Sequence, residues 1–361
     1  MNVGDKLSAP KDQILKALDR LRKNWKIVGP TEGPDGEVIF REIESSDEIT
    51  FNYVNELDPI KRFLAPPTEE LFRFRTNGEV KLELPEPPPR QILFGIRSCD
   101  VKGIQHWDKF YSGKFVDDAY FARRNNTVLI SLACNEPLET CFCICTDTGP
   151  FLEEGDGYDV QLTDLGERFL VEIGSERGLQ VLEEAGFKAE AASAEELAKR
   201  DELMRQCDTK FETTAFMAKG IVQMTNGRVR DSLWEEMGHE CFSCGACTHL
   251  CPMCTCFDVQ DVMEAEDCGR RERCWDSCQY AGYTREASGH NPRAATGSRI
   301  QRRFYHKLSF AYIKQDGHHG CVGCGRCIIA CEAIGLLDLP AVLKRLRREG
   351  QPVEVTQVPT E

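Results

Sequence analysis

The chain has 361 residues, with 45 Lys and Arg against 59 Asp and Glu, which gives a formal net charge of −14 at pH 7. A surface of this sign repels polyanions, so we expect no nucleic-acid partner. No apolar run approaches the roughly 20 residues that a membrane-spanning helix needs, and the N-terminal residues lack the apolar core of a secretion signal. The sequence therefore predicts a cytoplasmic protein without membrane insertion.

Cysteine is the most unusual feature of the composition, with 19 residues. Disulfides are rare in the cytosol, so thiols in this number are expected to bind metals or to be reactive. Five cysteines lie between Cys99 and Cys145, and thirteen lie between Cys241 and Cys331. This distribution predicts a mixed α/β domain over residues 1–235, followed by a mainly α-helical ferredoxin-like domain over residues 236–361.

The elements predicted in the first part mix helices with strands. Apolar residues at helical spacing mark residues 12–25, and strands are expected at 37–43 and 49–53. The apolar runs at 91–96 and 127–133 indicate buried strands, and a helix should follow the first of them. Further helices are expected at 178–185, 194–207 and 213–220.

Two cysteine runs in the C-terminal part share the spacing C-x2-C-x2-C-x3-C. The first consists of Cys241, Cys244, Cys247 and Cys251, and the second of Cys321, Cys324, Cys327 and Cys331. This is the bacterial ferredoxin spacing, in which the fourth cysteine of each run ligates the cluster of the other run. The rule predicts two [4Fe–4S] clusters, one held by Cys241, Cys244, Cys247 and Cys331, the other by Cys321, Cys324, Cys327 and Cys251.

The residues around these cysteines carry further expectations. Gly245 and Gly325 follow the second cysteine of each run, where glycine permits unusual dihedrals and a close approach of amide N–H groups to the cluster. We expect a helix to begin at each fourth cysteine. A pair of structural zinc sites would also use C-x2-C pairs, but zinc gives no reason for the doubled run.

Residues 252–320, which separate the two runs, are expected to be helical and basic in part. The basic residues of this insertion are Arg293, Arg299, Arg302, Arg303 and Lys307. They indicate either a solvated face or a docking surface for an acidic partner or for the phosphates of a cofactor on a neighbouring subunit.

A second group of cysteines follows the two predicted buried strands. Cys99 comes after the strand at 91–96, and Cys134 comes after the strand at 127–133. If these strands are parallel, both thiols emerge at the carboxyl edge of the sheet, where α/β proteins bind ligands. Cys141 and Cys143 follow closely, so four thiols can converge on a third [4Fe–4S] cluster, with Asp100 and Cys145 as substitutes. The alternative is a set of buried structural cysteines; a structural zinc is a weaker one.

The remaining cysteines are assigned no ligand role. Cys254, Cys256, Cys268, Cys274 and Cys278 could shield a cluster, bind another metal or pack in the core, and a passive role is favoured. Cys207 is expected to be structural. Neither a dinucleotide-binding nor a P-loop glycine fingerprint is present, so we expect the substrate chemistry to take place on another chain.

These residues together resemble a known family, the β subunit of soluble hydrogenase/sulfur reductases and the A subunit of anaerobic sulfite reductase. The resemblance covers nearly the whole chain and rests on RSCDVKGIQHWDKFY, LACNEPLETCFC, ECFSCGACTHLCPMCTCFDV and GCVGCGRCIIAC. Glu332 departs from the pattern, because a proline often follows the last cysteine.

The resemblance implies an electron relay. Such a subunit carries electrons between a flavoprotein subunit, which meets NAD(P)H or ferredoxin, and a catalytic subunit. The catalytic subunit would be a hydrogenase, a sulfite reductase or a heterodisulfide-reductase-like assembly. Two alternatives remain open at this point: a stand-alone sulfur or disulfide reductase that uses the N-terminal cysteines, and a zinc-bearing scaffold.

Overall fold

The computed structural model describes residues 1–349 of the chain. Its strands are β1 (Lys6–Pro10), β2 (Lys26–Glu32), β3 (Val38–Glu42), β4 (Thr68–Arg75), β5 (Lys81–Glu83), β6 (Gln91–Ile96), β7 (Thr127–Leu132), β8 (Val160–Asp164), β9 (Arg168–Ile173), β10 (Glu190–Ala191), β11 (Phe257–Ala265) and β12 (Cys268–Trp275). Its α-helices are α1 (Lys11–Leu21), α2 (Ser98–Tyr111), α3 (Asp118–Asn125), α4 (Glu176–Glu184), α5 (Ala194–Asp208), α6 (Met217–Thr225), α7 (Asp231–Glu240), α8 (Ala246–His249), α9 (Thr296–Leu308), α10 (Phe310–Asp316), α11 (Arg326–Ile329) and α12 (Leu339–Glu349). Short 3-10 helices lie at Ser46–Glu48, Ile60–Phe63 and Cys143–Cys145. Over residues 1–349, none of the helices has the length and apolar character needed to cross a membrane.

The larger sheet has the strand order β10-β1-β9-β8-β7-β6-β2-β3. Strands β2, β6, β7 and β8 run parallel to one another, and antiparallel strands flank them on both sides. Every residue of β6 and β7 is buried, as expected for parallel strands that are covered on both faces. Helix α1 covers one face with Ile14 and Leu18, and α2 covers the other with Val101 and Trp107.

The predicted fold class, a mixed α/β part followed by a cysteine-rich part with many helices, is confirmed. Two element predictions need correction. The strand expected at 49–53 is wrong, because Ile49 forms only an isolated bridge to Thr31. The helix expected at 213–220 begins later, at Met217.

A smaller antiparallel sheet has the order β11-β12-β4-β5. It joins the hairpin β11–β12, which lies in the insertion between the cysteine runs, to strands of the first part. A buried ion pair fixes the junction, since the Arg273 guanidinium on β12 donates to Glu69 on β4 with an Nε–Oε2 distance of 3.0 Å. The sequence did not predict this hairpin, and the boundary near residue 235 stays a prediction.

Helices α6, α7, α9 and α12 form a separate hydrophobic core with Trp234, Phe304 and Leu343 among its members. Helices α7 and α9 approach each other through two glycines. A Cβ atom added to Gly297 would lie 2.6 Å from the carbonyl oxygen of Trp234, and one added to Gly238 would lie 2.7 Å from the backbone nitrogen of Gly297. The two backbones are therefore in direct contact, which only glycine allows at these positions.

We expect Gly297→Ala to lower the free energy of unfolding by about 1–3 kcal/mol, because the added methyl group forces the two helices apart. The matched control is Gly113→Ala, whose added Cβ would meet its nearest neighbour at an ordinary 3.5 Å. Urea denaturation under anaerobic conditions, followed by tryptophan fluorescence, measures both variants. Equal midpoints for Gly297→Ala and Gly113→Ala would contradict the close helix contact.

Candidate functional site

The two ferredoxin-type runs adopt the same local structure. Gly245 and Gly325 have left-handed φ angles of 79° and 74°, and each immediately precedes a four-residue helix, α8 or α11. The expected unusual dihedrals are therefore confirmed. The expected helix start at the fourth cysteine is wrong, because the third cysteine of each run lies inside the short helix and the fourth lies beyond its end.

Backbone amides point at the first sulfur of each run. The Ser243 N–H donates to Cys241 Sγ at 3.4 Å, and the Gly323 N–H donates to Cys321 Sγ at the same distance. Both donors have positive φ angles, 55° for Ser243 and 60° for Gly323. The loops are thus shaped to surround sulfur with N–H groups, which is the arrangement that favours bound anionic sulfur.

The first run lines an open pocket of about 560 Å³, a volume that includes solvent at its mouth. Its sulfur-bearing residues are Cys241, Cys244, Cys247, Cys327 and Cys331. Cys331 comes from the second run. Burial raises the pKa of Cys331, and the nearby thiols of Cys241 and Cys244 raise it further. The structure therefore brings the fourth cysteine of the second run to the first run.

The reciprocal crossing is also present. Burial raises the pKa of Cys321 to about 12, with contributions from the thiols of Cys327 and Cys251. Burial likewise raises the pKa of Cys324, again with contributions from Cys251 and Cys327. The two sets of four named by the ferredoxin rule thus come together in space, and their role as cluster ligands stays a prediction.

Buried cations face these sulfurs. The Lys307 ammonium donates to Cys251 Sγ at 3.2 Å and to the Gly320 carbonyl at 2.9 Å. Although burial opposes a charge there, the neighbouring Cys251 raises the pKa of Lys307. In the same way Cys247 and Cys327 outweigh the burial of Arg303 and raise its pKa.

The basic residues of the insertion therefore divide into two groups. Arg299, Arg303 and Lys307 are buried, so neither a solvated face nor a docking surface describes them. Arg299 donates to the Ser243 hydroxyl at 3.1 Å, which ties α9 to the loop of the first run. Arg293 and Arg302 are partly exposed.

The N-terminal cysteines also converge. Cys99 lies in the first turn of α2, and Cys134 lies beyond the end of β7, which runs parallel to β6. Burial raises the pKa of Cys141 to about 11, and Cys134 contributes to the rise. Burial also raises the pKa of Cys143, with Cys134 and Cys141 as neighbours. The predicted group of four thus shares one region, while its binding of a third cluster stays a prediction.

The structure also shows where Cys207 and Cys145 lie relative to the N-terminal thiols. Cys207, expected to be structural, is fully buried and close enough to Cys134 and Cys141 for their thiols to raise its pKa beyond the effect of burial, to about 12. Cys145, a suggested substitute ligand, instead packs toward the helical core, where its sulfur accepts a hydrogen bond from the Ala215 N–H at 3.4 Å.

A buried ion pair joins the N-terminal group to the second run. Arg326 and Asp100 have side chains that are 2% exposed, with an Nη1–Oδ1 distance of 2.8 Å and an Nη2–Oδ2 distance of 3.0 Å. The Arg326 Nε–H also donates to the Glu56 carbonyl at 2.7 Å. The Asp100 carboxylate is therefore paired with the Arg326 guanidinium, and the structure does not place it as a substitute cluster ligand.

Backbone contacts complete the same junction. The Phe142 N–H donates to the Gly323 carbonyl at 2.7 Å, and the Asn55 amide donates to the Cys324 carbonyl at 2.9 Å. The Cys141 thiol lies 3.7 Å from that carbonyl oxygen. The N-terminal thiols and the second run are therefore in direct contact.

A further thiol group, missed by the sequence analysis, lies beside the second run. Cys278 and the Tyr283 hydroxyl lie close enough to the Cys256 sulfur to lower the pKa of Cys256 to about 6, with the Cys278 thiol as the largest cause. The Cys254 thiol donates to Cys251, which lowers the pKa of Cys251. In the sequence, the signal for this thiol group was the C-x-C pair of Cys254 and Cys256 after Pro252. Cys278, however, comes from the far side of the hairpin in the chain.

Within residues 1–349, no three His, Cys, Asp or Glu side chains stand close enough to chelate a single metal ion.

Comparison with known proteins supports the resemblance inferred from the sequence. Residues 240–334 match the family model of a 4Fe-4S dicluster domain. The chain is also 29% identical over 316 residues to the sulfhydrogenase 2 subunit beta of Pyrococcus furiosus, an alignment that covers 88% of this chain and 91% of the relative. The resemblance to the hydrogenase/sulfur reductase β-subunit family is confirmed.

We expect Asp100→Asn to lower the free energy of unfolding by about 3–5 kcal/mol, because it leaves the buried Arg326 guanidinium without its counter-charge. The control is Glu202→Gln, which breaks an exposed pair with Arg205 and should change little, since water screens such pairs. Anaerobic denaturation midpoints measure both. Similar small effects for the two variants would show that the buried pair does not hold the junction.

Proposed function

We propose that this chain, a relative of a sulfhydrogenase β subunit with a 4Fe–4S dicluster domain, is the electron-transfer subunit of a soluble anaerobic oxidoreductase. The observation that supports this most is the crossing of the two cysteine runs, with Cys331 beside the first and Cys251 beside the second. Single-ion sites give no reason for such a crossing, whereas it is the ligand arrangement of two-cluster ferredoxins.

The proposed ligands follow from this arrangement. Cys241, Cys244, Cys247 and Cys331 would hold one [4Fe–4S] cluster, and Cys321, Cys324, Cys327 and Cys251 would hold the other. Each cluster, when bound, supplies a one-electron carrier. The buried cations Lys307 and Arg303 lie against the sulfurs and would offset the negative charge of the clusters. Hydrogen bonds and nearby charge are the main means by which a protein sets cluster potential.

We further propose that Cys99, Cys134, Cys141 and Cys143 hold a third [4Fe–4S] cluster. Their mutual proximity supports this, and so do the buried cations Arg97 and Arg326 at the edge of the group. Cys143 and Cys99 are both close to Cys324. The third site would therefore continue the line of carriers from the second run into the α/β part.

The first run is the natural point of exchange with a partner subunit. Cys244 is exposed, and the neighbouring Phe242 is 77% exposed. The proposed partners are two other subunits. One is a flavoprotein subunit linked to NAD(P)H or ferredoxin. The other is a catalytic subunit, either a hydrogenase/sulfur reductase, a sulfite reductase or a heterodisulfide-reductase-like enzyme. We place the assembly in the cytoplasm on the cysteine content of the chain.

The alternative of a reductase that uses the N-terminal cysteines fits less well. Cys99, Cys141 and Cys143 are buried and Cys134 is partly exposed, so a substrate would reach at most one thiol of the group of four. Ligation explains buried clustered thiols, because ligands need no contact with solvent. The relay is therefore the function that the geometry supports best.

We expect Cys324→Ser to remove about four irons per chain, because it deletes one ligand of the second cluster. Electron transfer through the assembled complex should fall with it, while the α/β part stays folded. The control is Cys268→Ser, a partly exposed cysteine of β12 outside all the proposed sets. Iron analysis and complex activity measure both variants. Unchanged iron and activity in Cys324→Ser would refute the ligand assignment.

We expect Lys307→Gln to lower the reduction potential of the second cluster. The positive charge of Lys307 favours the reduced state of the cluster, which is the more negative one. At an effective dielectric of about 20, two unit charges about 6 Å apart interact by about 3 kcal/mol, on the order of 100 mV. Potentiometric titration followed by electron paramagnetic resonance measures the change. The control is Lys314→Gln, an exposed lysine on α10, and an equal potential in both variants would contradict the proposed role.

A further inference from the structure

The smaller sheet has an open edge at β5. Its strand order is β11-β12-β4-β5, so within residues 1–349 β5 pairs with β4 on one side and has no neighbouring strand on the other. All three residues of β5, Lys81, Leu82 and Glu83, are exposed. An open edge presents unpaired backbone N–H and C=O groups, which form a template for a strand of another chain.

Apolar side chains lie uncovered along this edge. Leu82 is 62% exposed, and Val80 and Leu84, which flank β5, are 64% and 81% exposed. The three alternate with charged residues, and alternate residues of an extended chain lie on one face. Large apolar side chains grouped at such exposure mark an interaction site.

The apolar group continues across the same face of the sheet. Leu82 lies opposite Phe74 of β4, and Phe74 lies opposite Gly269 of β12. A Cβ atom added to Gly269 would be 2.9 Å from Cζ of Phe74, so the ring covers the glycine. Met263 of β11 lies on the far side of Gly269 and is 55% exposed. An apolar stripe therefore crosses the sheet and ends at β5.

The opposite face of the sheet is covered by ion pairs. Arg73 of β4 lies opposite Arg270 of β12, and both donate to Glu264 of β11, at 3.3 Å and 2.6 Å. Arg73 also pairs with Glu70 at 3.0 Å. These charges are therefore balanced within the chain.

The two charges of β5 are not part of this network. Among the residues that the structure describes, neither Lys81 nor Glu83 has an ion-pair partner. Lys81 lies opposite Arg75, a residue of the same charge, and Glu83 lies opposite Arg73, which is already paired. Like charges directly opposite each other destabilise a strand pair. Both side chains would therefore gain from opposite charges on a strand beyond the edge.

The order of side chains along this edge is complementary to itself. In an antiparallel pair of two β5 strands centred on Leu82, Lys81 of each copy lies opposite Glu83 of the other. Leu82 lies opposite its own counterpart, and pairing that extends one residue further at each end places Val80 opposite Leu84. Opposite charges and apolar side chains both stabilise antiparallel strands when they face each other in this way.

The other edge of the sheet does not have this property. The charged residues of β11, Asp258, Asp261 and Glu264, are all acidic, so two copies of this strand would repel each other. Asp261 and Glu264 are also paired with Arg271 and Arg270 on β12. The edge at β5 is therefore the one suited to a second copy.

We propose that β5 is a dimer interface, at which two copies of this chain pair antiparallel through Val80–Leu84 and join their four-stranded sheets into one. The inference rests on the open edge, its exposed apolar residues and the order of its charges, and it does not depend on the relay. A single strand from each chain makes a small interface, so we expect a reversible dimer that dissociates on dilution.

The test is analytical ultracentrifugation of the full chain, purified anaerobically with its clusters, over a range of concentrations. The variants are Lys81→Glu, Glu83→Lys and the double variant that carries both changes. The control is Lys23→Glu, which makes the same change of net charge as Lys81→Glu at an exposed lysine between α1 and β2.

We expect the wild type and Lys23→Glu to dimerise equally. Each single variant on β5 should weaken dimerisation by roughly 10-fold or more, because two attractive pairs become repulsive. An equimolar mixture of Lys81→Glu with Glu83→Lys should form dimers again, since every charge on one strand then meets its opposite on the other. The double variant should dimerise like the wild type for the same reason.

The inference would be overturned by a wild-type chain that is monomeric at every concentration, or by single variants on β5 that dimerise like the wild type. A mixture of the two single variants that stays monomeric would contradict the proposed register. Hydrogen exchange supplies a further check on the occupant of the edge. Protection of the β5 amides that appears only in an assembly with other subunits would assign the edge to a different chain and refute the dimer.

Discussion

Buried sulfur and buried positive charge occur together in this protein, and this pairing governs the arrangement of its C-terminal part. Burying a charge without a partner costs several kcal/mol, yet Arg303, Lys307 and Arg326 all lie in the interior. Arg303 and Lys307 face cysteine sulfurs, and Arg326 pairs with Asp100 directly beside Cys324. Each of these interior cations needs a counter-charge: Asp100 supplies it for Arg326, and negative charge held on the cysteine sulfurs would supply it for Arg303 and Lys307.

The long insertion between the cysteine runs serves as the support for these cations. Helix α9 carries Arg303 and Lys307, and its N-terminal end is held against α7 by the contact of Gly238 with Gly297. Helix α7 ends directly before Cys241, so the same contact fixes the first run and the cations together. The hairpin β11–β12 anchors the other end of the insertion to β4.

The sequence predicted those parts of the site that follow from local spacing. The left-handed Gly245 and Gly325 come directly from the ferredoxin pattern, and the convergence of Cys99 with Cys134 follows from two parallel strands that end at one sheet edge. Long-range packing was not predictable in the same way. Basic residues at helical spacing look the same whether they face solvent or buried sulfur, so the burial of Lys307 could not be inferred.

The contact of Cys256 with Cys278 was hidden for a related reason, since a hairpin lies between them in the chain. The hairpin itself was not predicted, because charged residues interrupt the apolar residues of both strands and leave no clear apolar face. Cys207 reaches the N-terminal thiols only through the docking of α5. Each of these contacts joins residues that are distant in the chain, and no local sequence motif predicts it.

The most direct test of the relay is the analysis of iron, acid-labile sulfide and zinc in the anaerobically purified chain. The account predicts iron and sulfide in equal amounts, about eight of each from the two ferredoxin-type runs and about four more from the Cys99 to Cys143 group. A chain that contains zinc and no sulfide would contradict it, because such a protein could not carry electrons through these sites.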